Sequence, residues 1–165
     1  MKDYKYCPMC GSTFVEKLVK ERRRLVCANC DWIYYKNPIP VVVCLVTNTK
    51  NELLLVKRAI EPYKGAWSVP GGFLEFDETV PEAGSRELKE ETGLEGRAGR
   101  LIGAHVQQSW MYGTVLVVGM EFLVENEILT PGDDAEEAEF MPMDALPEIP
   151  IESHCKLIEE YLSAG

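Results

Sequence analysis

The chain has 165 residues, with 17 lysines and arginines against 27 aspartates and glutamates, a net charge of −10, and 46% hydrophobic residues. That is enough for one core of about 100–150 residues beside a small module, and it is too apolar for a disordered chain. The acidic balance argues against broad binding of nucleic-acid phosphates, and residues 40–46, the longest apolar run, fall far short of the roughly 20 residues of a membrane span. With no signal-like stretch at the N-terminus, a soluble cytoplasmic protein is expected, without a membrane partner.

The charge is unevenly spread. Residues 1–38 hold eight lysines and arginines and four acids, so a small basic module precedes an acidic body. Within it, Cys7-Pro-Met-Cys10 and Cys27-Ala-Asn-Cys30 have the spacing of a four-thiolate zinc site. Gly11 follows the first pair, where a positive φ is useful. Residues 13–26 read as two short strands around the polar turn 20–23. So small a unit needs a metal or disulfides to hold together. Disulfides would need an oxidising compartment, and a thioredoxin-type pair would need a βαβ setting; neither is indicated. The module, residues 1–37, is therefore expected to be a zinc ribbon with one structural Zn²⁺.

After residues 35–40, strand patterns occur at about 39–48, 52–58, 99–108 and 114–124, with a turn at 48–51. Helical patterns occur at about 79–92 and 152–163. Residues 38–165 thus read as one α/β body, an α/β/α or α+β sandwich. Cys44 and Cys155 read as packing residues, and His105 and His154 as isolated histidines with no part in a site.

The segment 71–94 carries the chemistry. Thr79 with Glu82 forms a capping-box pattern, Pro81 fits the first helical turn, and Gly93 suits the C-terminal cap. On that helix Glu87, Glu90 and Glu91 share an arc of about 140°, a like-charge cluster that weakens a helix unless something offsets it. A divalent ion such as Mg²⁺ or Mn²⁺ would do so; a solvated acidic face neutralised by Arg86 and Lys89 is the bland alternative. The Pro-Gly-Gly loop before the helix, which lets backbone carbonyls approach an ion, favours the metal.

Residues 72–94 match G-x5-E-x7-R-E-U-x-E-E-x-G-U, with U aliphatic, through Gly72, Glu78, Arg86, Glu87, Leu88, Glu90, Glu91, Gly93 and Leu94. By this match the chain resembles the Nudix hydrolases, and residues 65–71 resemble the usual approach to that box. The resemblance implies an α/β/α sandwich with a mixed sheet, and metal-dependent hydrolysis of a nucleoside diphosphate linked to another group. It also implies residue roles. Glu87, Glu90 and Glu91 would hold the divalent ions with the Gly71 carbonyl. Arg86 would orient Glu87, and Glu78 would pair with Arg86. Glu137, in the acidic loop 133–140, would be a base or extra ligand, with an ordinary solvated loop as the alternative.

A zinc ribbon before such a domain resembles the NADH pyrophosphatases and a group of ADP-ribose/FAD pyrophosphatases. Residues 106–112 keep an aromatic but lack the prolines of the NADH-type motif S-Q-P-W-P-F-P-x-S. ADP-ribose therefore ranks first, then NADH or FAD. Trp110 or Tyr112 offers a stacking surface for a base, or is simply a buried sheet aromatic. Arg58 is placed to reach a phosphate or to form a surface pair. A homodimer is expected from the resemblance. The competing class is a nucleic-acid-binding or ligand-sensing protein that uses the basic turn 22–24, and a variant joins the two as a hydrolase of nucleotide-capped RNA.

Overall fold

A computed structural model describes residues 4–163; the three residues before and the two after them, assigned above to the ribbon and the body, lie outside that range. The chain divides into two compact units, Met1–Asn37 and Pro38–Gly165.

The first unit is an antiparallel sheet of β1 (Phe14–Val19), β2 (Arg22–Cys27) and β3 (Ile33–Tyr34). Lys20 and Glu21 connect β1 to β2, both at positive φ, as a two-residue hairpin following the right-handed twist of its strands requires. The two Cys-x-x-Cys turns are built alike. Gly11 follows Cys10 at φ 73° and Asp31 follows Cys30 at φ 55°. The Cys7 N–H bonds the Ser12 carbonyl and the Cys27 N–H bonds the Trp32 carbonyl, both at 2.8 Å.

In the second unit, β4 (Ile39–Leu45) and β5 (Glu52–Arg58) are followed by the short β6 (Trp67–Ser68) and β7 (Gly71–Phe73). Then come α1 (Val80–Thr92), β8 (Gly96–Ser109), β9 (Gly113–Val124), β10 (Ala135–Pro142) and α2 (Glu152–Ser163). One sheet has the order β7-β4-β9-β8, with β4 and β9 parallel and the other pairs antiparallel; the other is antiparallel, β10-β5-β6.

Side-chain alternation sorts the mixed sheet into two faces. Gly84 of α1 lies against Phe122 and Val42, while Leu157 of α2 lies against Gly119, so the helices cover opposite faces. One core cluster joins Val43, Val115, Val117, Leu157 and Ile158 on the α2 side; another joins Cys44, Leu88, Leu94 and Phe122 on the α1 side. This is the expected α/β/α sandwich with a mixed sheet. Leu53 and Leu55 of β5 join the first cluster and Leu54 the second, which explains its unbroken apolar sequence: both faces are buried.

The strand expected at 99–108 begins earlier, at Gly96. From Ala135 onward the expected acidic loop 133–140 is a strand, β10, although its sequence AEEAEFMP has little strand preference. It forms by pairing with β5, from Ala135↔Arg58 to Pro142↔Glu52.

Candidate active site and metal centre

α1 starts and stops where the sequence punctuates it. Glu82 accepts the Thr79 N–H at 2.8 Å, Pro81 lies in the first turn, and Gly93 closes the helix at φ 74° with its N–H on the Lys89 carbonyl. These ends fix the phase of the helix, and so the direction of its carboxylates.

Arg86 is the hub. Its Nε and Nη2 donate to the two oxygens of Glu78 at 2.6 and 2.9 Å, and Nη2 also donates to the Phe73 carbonyl at 3.0 Å. Nη1 donates to Glu87 at 2.8 Å and to Glu90 at 3.0 Å. One guanidinium thus ties the loop before α1 to two helix carboxylates. The planar fork allows this; a lysine would offer one point of charge. These hydrogen bonds, with the Glu75 N–H, hold the Glu78 carboxyl down at about 2.

Glu91 is different. It is 4% exposed, and its Oε2 accepts the Gly71 N–H at 2.9 Å. Burial pushes its pKa up to about 8; the Gly71 hydrogen bond opposes the rise, and Glu87 and Asp134 add to it. Burial likewise raises Glu87. A buried carboxylate whose nearest donor is a neutral N–H is a cost to the fold, and Glu87, half-buried, has its own cost partly offset by Arg86. The backbone is shaped to admit them. A Cβ on Gly72 would occupy the place of the Glu87 carboxylate, and one on Gly71 (φ 151°) would strike the Val42 carbonyl. Hard oxygen donors held in a buried, glycine-lined cradle fit a divalent cation of the Mg²⁺ or Mn²⁺ kind.

These carboxylates open on a cavity of about 390 Å³. Glu87, Glu90, Glu91, Asp133 and Asp134 give it an acidic end, and Val41, Val43, Val115, Val117 and Ile151 give it apolar walls. Arg58 lines it too, its Nε fixed on the Pro62 carbonyl at 2.7 Å. Tyr112 lines it, packed edge to face on Phe73 with ring centroids 4.8 Å apart.

Glu137 and Trp110 are not among the residues lining the cavity. Glu137 pairs across the strands with Lys57, the neighbour of Arg58, and alternation therefore turns it away from the Arg58 side. Its carboxylate is bound to the Lys57 ammonium at 2.7 Å. Trp110 stands 72% exposed at the β8–β9 turn, where it is neither a buried sheet aromatic nor part of the cavity wall. Asp133 and Asp134, in the expected acidic loop, line the cavity, and so does His154, against its reading from sequence as an isolated histidine apart from any site. The histidine gave no sequence signal, because only the packing of α2 brings it there.

In the first unit, the Sγ atoms of Cys7, Cys10, Cys27 and Cys30 all lie within 4.8 Å of one another, and all are free thiols. Cys7–Cys30 and Cys10–Cys27 stand at 3.7 and 3.4 Å, near the edge of about 3.8 Å expected for a tetrahedron with Zn–S bonds of about 2.3 Å. The Asn29 and Cys30 N–H groups point at the Cys27 sulfur. Among the described residues these cysteines are the one His/Cys/Asp/Glu group whose ligand atoms converge so closely; the α1 glutamates are spread around Arg86 instead.

Residues 37–160 match the family model described as NUDIX domain, and residues 5–36 match the one described as Nudix N-terminal, a zinc-ribbon model. An ADP-ribose pyrophosphatase from Methanocaldococcus jannaschii is 35% identical over 92% of this chain and 86% of its own length. A NAD-capped RNA hydrolase NudC from Pseudomonas aeruginosa is 29% identical over 96% of this chain, and the chain spans 56% of that protein. The crystal structure of a NUDIX hydrolase from Nitrosomonas europaea superposes with a TM-score of 0.77 at 26% identity, covering 97% of this chain and 91% of the other.

Proposed function

Because this chain belongs to the Nudix family of hydrolases, we propose that it cleaves the diphosphate of a nucleoside diphosphate joined to a second group, with ADP-ribose first and NADH or FAD behind it. The observation that carries this reading is the cavity itself. It joins a carboxylate-rich end to an apolar stretch with an aromatic edge, as a substrate with a charged centre and a flat base requires. Water would attack one phosphorus of ADP-ribose, the bridging P–O bond would break, and AMP and ribose 5-phosphate would leave.

Glu87, Glu90 and Glu91 would hold Mg²⁺ or Mn²⁺, together with the Gly71 carbonyl. When bound, such ions neutralise the diphosphate and acidify a water. Arg86 keeps Glu87 and Glu90 aimed along one side of α1. Arg58 and Tyr112 both line the cavity; Arg58 would hold a phosphate oxygen and Tyr112 would meet a ring. The base would come from the acidic loop. Asp133 and Asp134 already line the cavity, whereas Glu137 lies outside the lining and is paired with Lys57. The four cysteines would hold one structural Zn²⁺, with no open position for substrate.

A panel of ADP-ribose, NADH, FAD and diadenosine compounds with Mg²⁺ and Mn²⁺, read by AMP release, tests the proposal. Activity should vanish with chelator, and oxygen from labelled water should enter one product phosphate. Cleavage of nucleoside triphosphates alone would overturn the substrate. The reading takes in a cytoplasmic homodimer, checked by fractionation and light scattering.

A second reading is hydrolysis of nucleotide-capped RNA, favoured by the NudC relatives and by a groove on the first unit lined by Arg23, Arg24, Lys36, Tyr34, Leu25 and Glu16, the last paired with Arg23. RNA binding with a steep salt dependence, lost on neutralising Arg23 and Arg24, would support it.

A further inference from the structure

Between β5 and β6 the chain makes a loop, residues 59–66, that supplies its own part of the cavity wall through Ile60, Pro62 and Tyr63. The loop is tied at its base and at its middle. The Arg58 N–H bonds the Ala66 carbonyl at 3.0 Å, and the Gly65 N–H bonds the Arg58 carbonyl at 2.8 Å. The Ala59 N–H bonds the Asp134 carbonyl at 2.7 Å, and the Arg58 Nε holds the Pro62 carbonyl, one residue before Tyr63. Tyr63 therefore stands on a fixed support.

Its side chain does little for the fold. Val41, Phe73 and Tyr112, which line the cavity from the sheet side, pack into the hydrophobic cluster beneath α2, whereas Tyr63 and Ile60 belong to neither cluster. Both are open to a ligand, Tyr63 at 36% exposure and Ile60 at 39%. Among the described residues the Tyr63 side chain has no hydrogen bond and no ring contact. The backbone beneath it adds a cost. Tyr63 sits at φ 66°, in the left-handed region, where a bulky residue is strained and glycine or asparagine is at ease. A ring kept at such a position, unpacked and against a ligand-sized space, is accounted for by the surface it offers the ligand.

The chemistry of that surface says what it takes. An aromatic face and an isoleucine on one loop carry no charge, and they suit a flat, weakly hydrated group. In ADP-ribose that group is the adenine; the sugars and phosphates are strongly polar. We propose that Tyr63 is a substrate-contacting specificity residue, the stacking surface for the nucleoside base, with Ile60 widening the apolar face of the same loop. This rests on the reading that a nucleoside diphosphate derivative fills the cavity.

The test uses the full chain with Mg²⁺ and the non-hydrolysable α,β-methylene analogue of ADP-ribose, titrated by calorimetry. Tyr63→Ala should weaken its binding about 5- to 100-fold, the range for one lost base–aromatic stack, while Tyr63→Phe, which keeps the ring, should stay within about twofold of wild type. Tyr63→Gly separates the contact from the backbone. Its melting temperature should hold or rise as the left-handed φ is relieved, yet its binding should fall as in Tyr63→Ala. The contact itself is read by NMR. With the analogue at saturation, adenine H2 or H8 should show nuclear Overhauser effects to a tyrosine ring that are absent from saturated Tyr63→Ala. Kinetics give the last measure: for the substrate that is cleaved, Tyr63→Ala should raise KM by the same factor as it weakens binding and leave kcat within about threefold.

Unchanged KM and binding in Tyr63→Ala overturn the proposal and leave the substrate reading standing. So does weakened binding without an adenine contact to Tyr63 in the wild type, which would place the loop against another part of the substrate. If no adenine nucleotide of the panel is bound or cleaved, the substrate reading fails and takes this proposal with it.

Discussion

The two units of this chain use charge and metal chemistry in opposite ways. The first buries little besides sulfur: Cys7, Val26 and Cys27 are its buried hydrophobic residues among those described. Its four thiols already stand near the corners of a tetrahedron, so a bound ion would supply the cohesion that a core does not. The second unit has two clusters packed on either face of a sheet, a core that the first unit does not have. There the carboxylates oppose folding: Glu91 is buried and Glu87 half-buried, both with raised pKa values, and the helix tolerates them because the Gly71 N–H and Arg86 offset part of the cost. The first unit has ligands gathered where a core is missing, and the second has a core that carries carboxylates opposing its fold.

The largest effect that could break this contrast is in the first unit. Cys27→Ser should remove the zinc equivalent and unfold residues 4–36, since structural zinc in such small units contributes on the order of 10 kcal/mol. Metal analysis and hydrogen exchange would show it. The melting of the second unit should stay within a few degrees of wild type. If both units melted together, the contrast would be wrong.

In the second unit the signs reverse. Glu91→Gln should lower turnover at least ~100-fold, measured as AMP release under saturating Mg²⁺, yet stability should hold or rise. Its pH dependence follows from the raised pKa. In chelator, Glu91 binds a proton in the folded state up to about pH 8 but in the unfolded state only up to about 4.5. The folded state thus holds the extra proton between those values, and stability falls as pH rises through the window, levelling off above about 8. Melting curves in chelator from pH 5 to 8.5 should decline for wild type and flatten for Glu91→Gln. Equal slopes would show that burial of Glu91 carries no penalty.

How far all this was legible in the sequence differs between the units in the same way. The ribbon could be read almost whole, because ligand spacing and turn residues are local. The box helix could be read for the same reason: Thr79, Glu82, Pro81 and Gly93 fix its ends within the segment itself. What escaped was set by tertiary packing. β10 is a strand because β5 offers it a partner, and Glu137 faces Lys57 because of the register they share. His154 lines the cavity because α2 docks through Leu157 onto Gly119, more than thirty residues away in sequence.

A smaller effect tests the hub. Arg86→Lys keeps the charge but loses the paired bonds to Glu78 and the bond to the Phe73 carbonyl. At a site 29% exposed on the arginine side, a loss of about 1–2 kcal/mol is expected by denaturant titration. Turnover should drop about tenfold as Glu87 and Glu90 lose their common donor. A fall in rate with unchanged stability would mean that Arg86 serves the site without bracing the loop.

The smallest expected effect separates two aromatics two residues apart. Tyr112 packs on Phe73 at 4.8 Å and lines the cavity, so Tyr112→Leu removes an aromatic edge from the wall and a packing partner from the Phe73 end of β7. Its KM for ADP-ribose should rise several-fold, in line with the roughly 0.5–1.5 kcal/mol of an aromatic pair. Trp110 stands 72% exposed on the β8–β9 turn, outside the lining. Trp110→Ala therefore removes no packing from the core and no contact from the cavity, and kcat and KM should both stay within about twofold, with stability within about 0.5 kcal/mol of wild type. A large rise in KM for Trp110→Ala alone would mean that the turn folds over the bound substrate, and the substrate-facing wall would then have to include the tip of the β8–β9 hairpin.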